Sequence, residues 1–294
     1  MRLSADTAAT SQVRNLFISI FYNQKDWCTL FANLFEPLAK EISSIDPLSK
    51  YVTHFSYKRG ENIGITWYLS IVTVDVTSKI IDKKSIAFLR ENRSKPKVNK
   101  SRINSIFKNF PVNSQHYNLH FFPFFSTTHL SITEVELLVS TVTQLISAYF
   151  SEETIDDECK FTLTLYLHLI MANCVIKNVD KTFLQKMLIH PHVNAINPRT
   201  DDYLCSFFET ELTVREIIND ISNDHYFSRP ENKLFQSWQA ACNGIIQNHF
   251  LIKSSVDGLA PAFKEMSDLI TEQLGLSKNG QEMTIFFLCK CINE

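Results

Sequence analysis

The sequence is poor in glycine, with six among 294 residues, and this scarcity limits the kinds of site it can form. Neither a G-x-G-x-x-G nor a G-x-x-x-x-G-K-[ST] run occurs, so the usual glycine-rich loops that cradle phosphates are absent from the sequence. A G-x-S-x-G run is also missing, so nothing supports the nucleophile elbow of a hydrolase.

Net charge and long apolar runs are scarce as well. A formal charge of −2 gives the chain no polyelectrolyte character, and its 45% hydrophobic and 20% charged residues are typical of a soluble globular protein. The longest apolar stretch, residues 161–176, is too short to span a bilayer comfortably and contains His168 and Asn173. We therefore predict a buried helix there and no membrane association.

The cysteines and the N-terminus point to one compartment. Seven cysteines are an odd number with no framework spacing, which fits a reducing environment. The first residues, MRLSADTAATSQV, lack an apolar run of the signal-peptide type. We expect a cytoplasmic protein.

The first half of the chain has the pattern of a sheet. Residues 15–22 predict a first strand, strand-like sequence resumes near Tyr51, and residues 62–69 alternate as a strand does. Between the first two strands, apolar residues at helical spacing follow Asp26, which we predict as an N-cap. Pro37 lies inside this helix and predicts a kink or a break.

The second half has the pattern of helices. The SITE run at 131–134 is a capping box, and an apolar face continues from it to Tyr149. Further helices are predicted at roughly 155–177, 180–189, 211–222, 231–250 and 261–275. We predict a single α+β domain over residues 1–294, with an antiparallel sheet packed by helices.

Two groups of potential metal ligands are weak. His116 and His120 are four residues apart, near His129, and on a helix such spacing could present two imidazoles to a metal. This segment is extended and rich in aromatic residues, and no carboxylate or cysteine completes a site, so we predict no metal centre. Cys289 and Cys291 are interpreted as alternate positions on a terminal strand.

A basic segment covers residues 79–108. It could follow an anionic partner such as a nucleic-acid backbone or an acidic peptide, but it lacks a nucleic-acid motif, so a solvated loop is the preferred interpretation. Only Asp82 and Glu91 oppose its basic residues, which are Lys79, Lys83, Lys84, Arg90, Arg93, Lys95, Lys97, Lys100, Arg102 and Lys108.

Several segments, taken in order, resemble the thiopeptide-type bacteriocin biosynthesis domain, which is also the C-terminal elimination domain of lantibiotic dehydratases. The opening NLFISIFYNQKDWCTLFANLFEPLAKEI is similar to the family's first strand and proline-containing helix. THFSYKRGENIGITW stands where the family has a strand, a loop and G-x-H-[LI]-R. EVELLVST and the terminal DLITEQLGLSKNGQEMTIFFLCKCINE resemble its later helices, so the resemblance covers nearly the whole chain.

The departures from the family fall on polar positions. The histidine and arginine of G-x-H-[LI]-R are replaced by Asn62 and Gly64. In the family's E-x-x-R-Y-G-G segment, the glutamate and arginine are replaced by His120 and Pro123. The histidine of its H-M-x-x-N-R helix is replaced by Asp268.

The resemblance implies maturation of a ribosomally made peptide, by elimination of glutamate from glutamylated Ser or Thr or by cyclisation of dehydroalanines. Elimination needs a base and cationic groups. On this reading Arg59 would hold a carboxylate and Asp268 would take a proton, in a groove formed by Asn62, Tyr117 and His120.

The resemblance also implies the partners. They are a precursor peptide and a glutamylating dehydratase, and no cofactor is implied. A non-catalytic role as a peptide-binding partner of the dehydratase stays open. The alternative from another class is an interaction protein that docks an acidic partner through residues 79–108.

Overall fold

A four-stranded antiparallel sheet forms the N-terminal part of the computed structural model, which describes residues 13–95, 109–117, 127–150, 155–189, 221, 232–253 and 255–293. Its spatial order is β2-β3-β1-β4, so β2 and β4 are the edge strands of this sheet. The strands are β1 (Val13–Phe21), β2 (Lys50–Ser56), β3 (Asn62–Ser70) and β4 (Ser114–Tyr117).

One face of the sheet is covered by the segment between β1 and β2 and by a helix that follows β3. A 3₁₀ turn (Gln24–Asp26) leads into α1 (Trp27–Leu30), a π-helical turn (Phe31–Phe35) and α2 (Glu36–Ile45), and α3 (Val74–Glu91) follows β3. These helices bury the alternate apolar residues of β3 that the sequence pattern indicated, among them Ile63, Ile65 and Trp67.

The break predicted at Pro37 is a change of helix type. The π-helical turn ends at Phe35 and α2 continues directly from it, so the wider turn lies immediately before Pro37, whose ring and missing N–H interrupt regular α-helical hydrogen bonding. Asp26 does precede α1, but its side chain caps nothing. Its Oδ2 instead accepts a 2.5 Å hydrogen bond from Ser94 Oγ, which ties this turn to the end of α3.

The C-terminal part consists of helices, which confirms the α+β prediction. The capping box is formed, since Ser131 N donates to Glu134 Oε2 at 2.8 Å and Glu134 N donates to Ser131 Oγ at 3.3 Å. The helix predicted at 211–222 lies outside the described residues apart from Ile221. The helices are α4 (Ile132–Phe150), α5 (Asp157–Asn178), α6 (Lys181–Leu188), α7 (Lys233–Lys253), α8 (Val256–Gln273) and α9 (Lys278–Asn293).

Helix α5 is the core helix of this part, as predicted. By length and composition alone it could cross a membrane, but 67% of its apolar window is buried inside the fold. His168 lies fully buried on it, and burial lowers its pKa to about 4, so the imidazole is neutral. Its Nδ1–H donates to Thr164 O at 2.8 Å and its Nε2 accepts from Ser267 Oγ at 2.7 Å, which joins α5 to α8.

The predicted terminal strand is wrong, because Cys289 and Cys291 lie on α9. Thr284, Ile285, Phe287 and Leu288 are buried there at a spacing of three and four residues, which is the period of a helix and not of a strand. Residues two apart on a helix diverge by about 200°, so the two thiols do not converge on a ligand. Among the described residues, all six cysteines are free thiols.

Edge strand β2 is fastened to the helices through Thr53. Its N–H donates to Thr143 Oγ1 of α4 at 3.1 Å, and its carbonyl accepts a 3.0 Å hydrogen bond from Gln273 Nε2 of α8. The Gln273 side chain is fully buried and also reaches Val139 O at 2.9 Å. The sheet and the helical part therefore share one hydrogen-bond network.

The chain before α4 is held by the Glu265 carboxylate of α8. Its oxygens accept from Thr128 N at 2.8 Å, His129 N at 3.1 Å and Leu130 N at 2.9 Å. Partial burial works to raise the pKa of Glu265, but these donors outweigh it and hold the pKa below its usual value.

We expect Glu265→Gln to lower the free energy of unfolding at neutral pH by about 1 kcal/mol, a modest figure because solvent screens the site. Because the pKa of Glu265 is lower in the folded than in the unfolded protein, its carboxylate stabilises the fold at pH values above the unfolded pKa of 4.5. This contribution is lost as the pH falls through the folded pKa. Urea unfolding of both proteins should show the difference shrinking between pH 7 and about pH 3. Glu91→Gln, at the exposed end of α3, is the control; a pH-independent difference would contradict the prediction.

Candidate functional site

A cleft of about 950 Å³ opens beside the C-terminal end of β2. Its other walls are the first turn of α5 and the junction between α8 and α9, and its volume is that of a binding pocket for a drug-sized ligand or a peptide segment. Phe55, Phe161, Leu276 and Met283 give it an apolar lining, and His54, Tyr57, Lys58, Asp157, Lys160 and Glu272 give it polar groups.

Lys160 is a buried cation in the wall of the cleft. The residue is only 2% exposed, and its Nζ lies 2.6 Å from Asp157 Oδ1. The same ammonium contacts the Tyr57 hydroxyl and lies 4.5 Å from the centre of the Tyr57 ring. Burial lowers the pKa of Lys160 and the Asp157 carboxylate opposes that shift. The ammonium is therefore fixed in position by a counter-ion and an aromatic face.

Asp157 connects this cation to its surroundings. Its Oδ1 accepts from Gln24 Nε2 at 3.2 Å and from the Tyr57 hydroxyl at 3.4 Å. The hydrogen bond from Lys160 is the main reason that the pKa of Asp157 is lowered. Burial and the negative charge of Asp157 raise the pKa of Tyr57 well above its usual value, so its hydroxyl stays protonated.

Glu272 carries the opposite charge on the α8 side of the cleft. Burial and the neighbouring Asp268 raise its pKa, while Lys58 and Lys264 work in the other direction. Asp268, the predicted base, lies one helical turn earlier and pairs with Lys264 at 2.6 Å. Glu272 thus lines the cleft, whereas Asp268 does not.

The turn between β2 and β3 contains the other two predicted residues of this region. Arg59 has a left-handed backbone, with φ of 61°, and its exposed guanidinium lies 5.3 Å from the centre of the Phe110 ring. Asn62 is fully buried, and its Nδ2 donates to Lys58 O at 3.2 Å and Gly60 O at 2.9 Å. Asn62 thereby shapes the turn that presents Lys58 to the cleft, and a contact of Arg59 or Asn62 with substrate stays a prediction.

Tyr117 lies elsewhere. Its hydroxyl contacts Asp82 of α3, and Gln115 Nε2 donates to it at 2.7 Å, beside a second cavity of about 450 Å³. Tyr117 pairs with Ile18 on β1, whereas Asn62 pairs with Phe21, and residues an odd number apart on a strand face opposite sides. Asn62 and Tyr117 therefore do not share the predicted groove, and His120 lies outside the described residues.

In the part of the chain that the structure describes, no three His, Cys, Asp or Glu side chains form a group that could hold a metal ion. His116 instead packs with its ring centre 4.0 Å from that of Phe110 and its Nε2 3.0 Å from Ser114 Oγ. His129 is held through its backbone N–H by Glu265.

The first part of the basic segment is helical. Residues 79–91 belong to α3, so the interpretation of this part as a loop is wrong, and residues 96–108 lie outside the described ranges. Lys79, Lys83 and Arg90 are exposed on α3, and Lys84 pairs with Glu41. Docking of an acidic partner at this surface stays a prediction.

One position in the sequence indicates the cleft. Lys160 falls three and seven residues before Leu163 and Leu167, on the buried face of α5 and directly before the longest apolar stretch of the sequence. A lone cation at such a position needs a counter-ion or a function. Tyr57, His54 and Glu272 gave no comparable signal, because residues remote in the chain bring them together.

Comparison with known proteins confirms the resemblance at the level of the fold. Neither a protein-family model nor a curated protein sequence matches the chain. Among solved structures, the pyridine synthase TbtD from thiomuracin biosynthesis is similar with a TM-score of 0.62 and 12% identity, over 95% of this chain and 97% of that one. The fold is thus that of a thiopeptide biosynthesis protein.

Two further solved structures are similar to this chain. The tRNA-dependent lantibiotic dehydratase MibB from Microbispora sp. 107891 aligns with 99% of this chain at a TM-score of 0.62 and 6% identity, over 28% of its own length. TsrL aligns over 95% of this chain and 94% of its own at a TM-score of 0.53 and 10% identity. The chain therefore has the same fold as a standalone pyridine synthase and as part of a lantibiotic dehydratase.

Proposed function

We propose that this protein binds a ribosomally made precursor peptide in the cleft beside β2 and takes part in its maturation, in a lanthipeptide-type or thiopeptide-type pathway. The observation that carries the proposal is a cleft of about 950 Å³ with a fixed, buried ammonium in its wall, in a fold shared with TbtD and MibB. The proposal extends to a single domain that works in the cytoplasm with a dehydratase as partner.

The cleft has both kinds of surface that a peptide needs. Phe55, Phe161 and Met283 offer apolar contacts for side chains of the peptide. Lys160 and Lys58 offer cations for a carboxylate of the peptide. A glutamylated or otherwise acidic peptide segment matches this combination.

Elimination of glutamate would use the two sides of the cleft differently. A base removes the α-proton of the modified residue, the electron pair forms the Cα=Cβ double bond, and the Cβ–O bond breaks to release glutamate as a carboxylate. Glu272, whose pKa is raised by burial and by Asp268, would accept the proton, and Lys160, held beside Asp157, would stabilise the leaving carboxylate. Arg59 and Asp268 would support these roles from the rim.

We expect Lys160→Met to weaken peptide binding by about 10-fold or more, because a hydrogen bond to a charged group contributes about 1.5–3 kcal/mol. Folding should change little, since Met matches the unbranched stem and Asp157 stays 85% exposed to water. Titration calorimetry with purified protein measures the affinity. Lys177→Met, an exposed lysine on the same helix, is the matched control; equal affinities of the two variants would contradict the assignment.

The test of the proposed function uses the precursor peptide encoded nearest the gene, in unmodified, glutamylated and dehydrated forms. Mass spectrometry of the titrated samples reports the chemistry. Loss of glutamate or of a leader peptide would show an enzyme, and binding without a mass change would show a peptide-binding partner of the dehydratase. Absence of binding to every form would overturn the proposal.

A further inference from the structure

Gly64, in the middle of β3, has no room beside it for a side chain. Its φ lies outside the left-handed region, so the backbone conformation does not require glycine. A Cβ atom at residue 64 would lie 2.0 Å from His54 Cε1 and 2.4 Å from His54 Nε2, far inside van der Waals contact. The imidazole of His54 therefore lies over the Gly64 backbone and fills the volume of the missing side chain.

The strand register fixes this arrangement. His54 of β2 pairs with Gly64 of β3, and Gly64 pairs with Ser19 of β1, so the three residues form one row on one face of the sheet. Glycine in the interior of a strand normally lowers stability. Here the missing side chain leaves the room that the His54 imidazole occupies.

The same ring belongs to the cleft. His54 is 5% exposed and lines the cavity together with Tyr57 and Lys160. Its imidazole can both form hydrogen bonds and carry a proton.

We propose that His54 contacts the bound peptide through its imidazole, which lies over Gly64. This inference rests on the proposed function and assigns a peptide contact to a residue of the sheet. One ring nitrogen makes this contact, as an N–H that donates to a carboxylate or carbonyl oxygen of the peptide or as an unprotonated nitrogen that accepts from a peptide N–H. Gly64 is a positioning residue, since it acts only by leaving room for the ring.

A double-mutant series separates this role from packing. Gly64→Ala should lower Tm because Cβ and the ring cannot coexist, and adding His54→Ala should restore Tm. The restored His54→Ala/Gly64→Ala protein should bind the precursor peptide about 10-fold more weakly than the wild type, the loss expected for one hydrogen bond. The exchange His54→Gly/Gly64→His, which returns an imidazole to the same row, should recover most of the affinity.

Single substitutions provide the second measurement if a double variant does not fold. His54→Gln keeps a hydrogen-bonding group and should retain affinity within about threefold, whereas His54→Leu should lose about 10-fold at similar volume. Wild-type affinity in His54→Leu or in His54→Ala/Gly64→Ala would overturn the inference and leave the proposed function standing. A folded His54→Gly/Gly64→His variant that binds as weakly as His54→Ala/Gly64→Ala would overturn the inference too. Failure of the wild type to bind any form of the peptide would overturn the proposed function itself.

Discussion

Replacing Trp27 with alanine is expected to lower the free energy of unfolding by about 3–5 kcal/mol, the range for truncating a large core aromatic residue. Trp27 is fully buried, and its ring stacks on Phe55 with centroids 4.8 Å apart and planes 9° from parallel. Its Nε1 donates to Tyr22 O at 2.9 Å. The substitution removes the packing and leaves that buried carbonyl without its donor.

Urea unfolding followed by circular dichroism measures this loss. Trp27→Phe is the matched variant, because it keeps an aromatic ring against Phe55 and removes the hydrogen bond and only part of the ring volume, at a cost of about 2 kcal/mol. Equal losses in the two variants would show that stacking contributes little. Trp27 also lies under the cleft, 6.0 Å from Lys160 Nζ, so Trp27→Ala should weaken peptide binding as well.

Gly275→Ala is expected to cost about 3 kcal/mol, combining left-handed strain of about 1–2 kcal/mol with overpacking. Gly275 has φ of 64°, and a Cβ there would lie 2.8 Å from Phe55 O, a backbone atom that cannot rotate away. The residue joins α8 to α9 and forms part of the cleft wall, so β2 would have to shift.

Gly244→Ala is the control for this prediction. Gly244 lies inside α7, and an added Cβ would meet no atom within 4 Å. Alanine should therefore stabilise α7 by about 1 kcal/mol through helix propensity. Thermal unfolding should show Tm changes of opposite sign in the two variants, and a shared sign would contradict the explanation of Gly275.

The sequence predicts the elements of this fold where one local period dominates. Alternation in residues 62–69 indicates β3 because its apolar side chains all face the helices, and the Ser131–Glu134 capping box marks the start of α4. The C-terminal segment is a helix although a strand is predicted there, because its β-branched and aromatic composition suits a strand. Tertiary packing of Ile285 and Leu288 at helical spacing decides in favour of α9.

The site was less predictable because it is made by contacts between distant residues. Tyr57 and Lys160 are 103 residues apart, and no local pattern indicates that they meet. Gly64 is a second case. Comparison with the family motif shows only that an arginine is replaced by glycine, and no sequence pattern indicates that His54, ten residues earlier, fills the space. The sequence pattern places Arg59 and Asn62 at the entrance of β3, but no local pattern indicates that Asn62 is buried.

The fastening of β2 to the helices limits how a peptide can lie in the cleft. Many peptide-binding proteins accept their partner as an extra strand, which reads main-chain groups and tolerates many sequences. At Thr53 the outward N–H and carbonyl are already occupied by Thr143 and Gln273, and Gly275 stands against the carbonyl of Phe55. Strand addition is closed along this stretch of β2, so under the proposed function a peptide in the cleft would be held by contacts other than a strand ladder with β2.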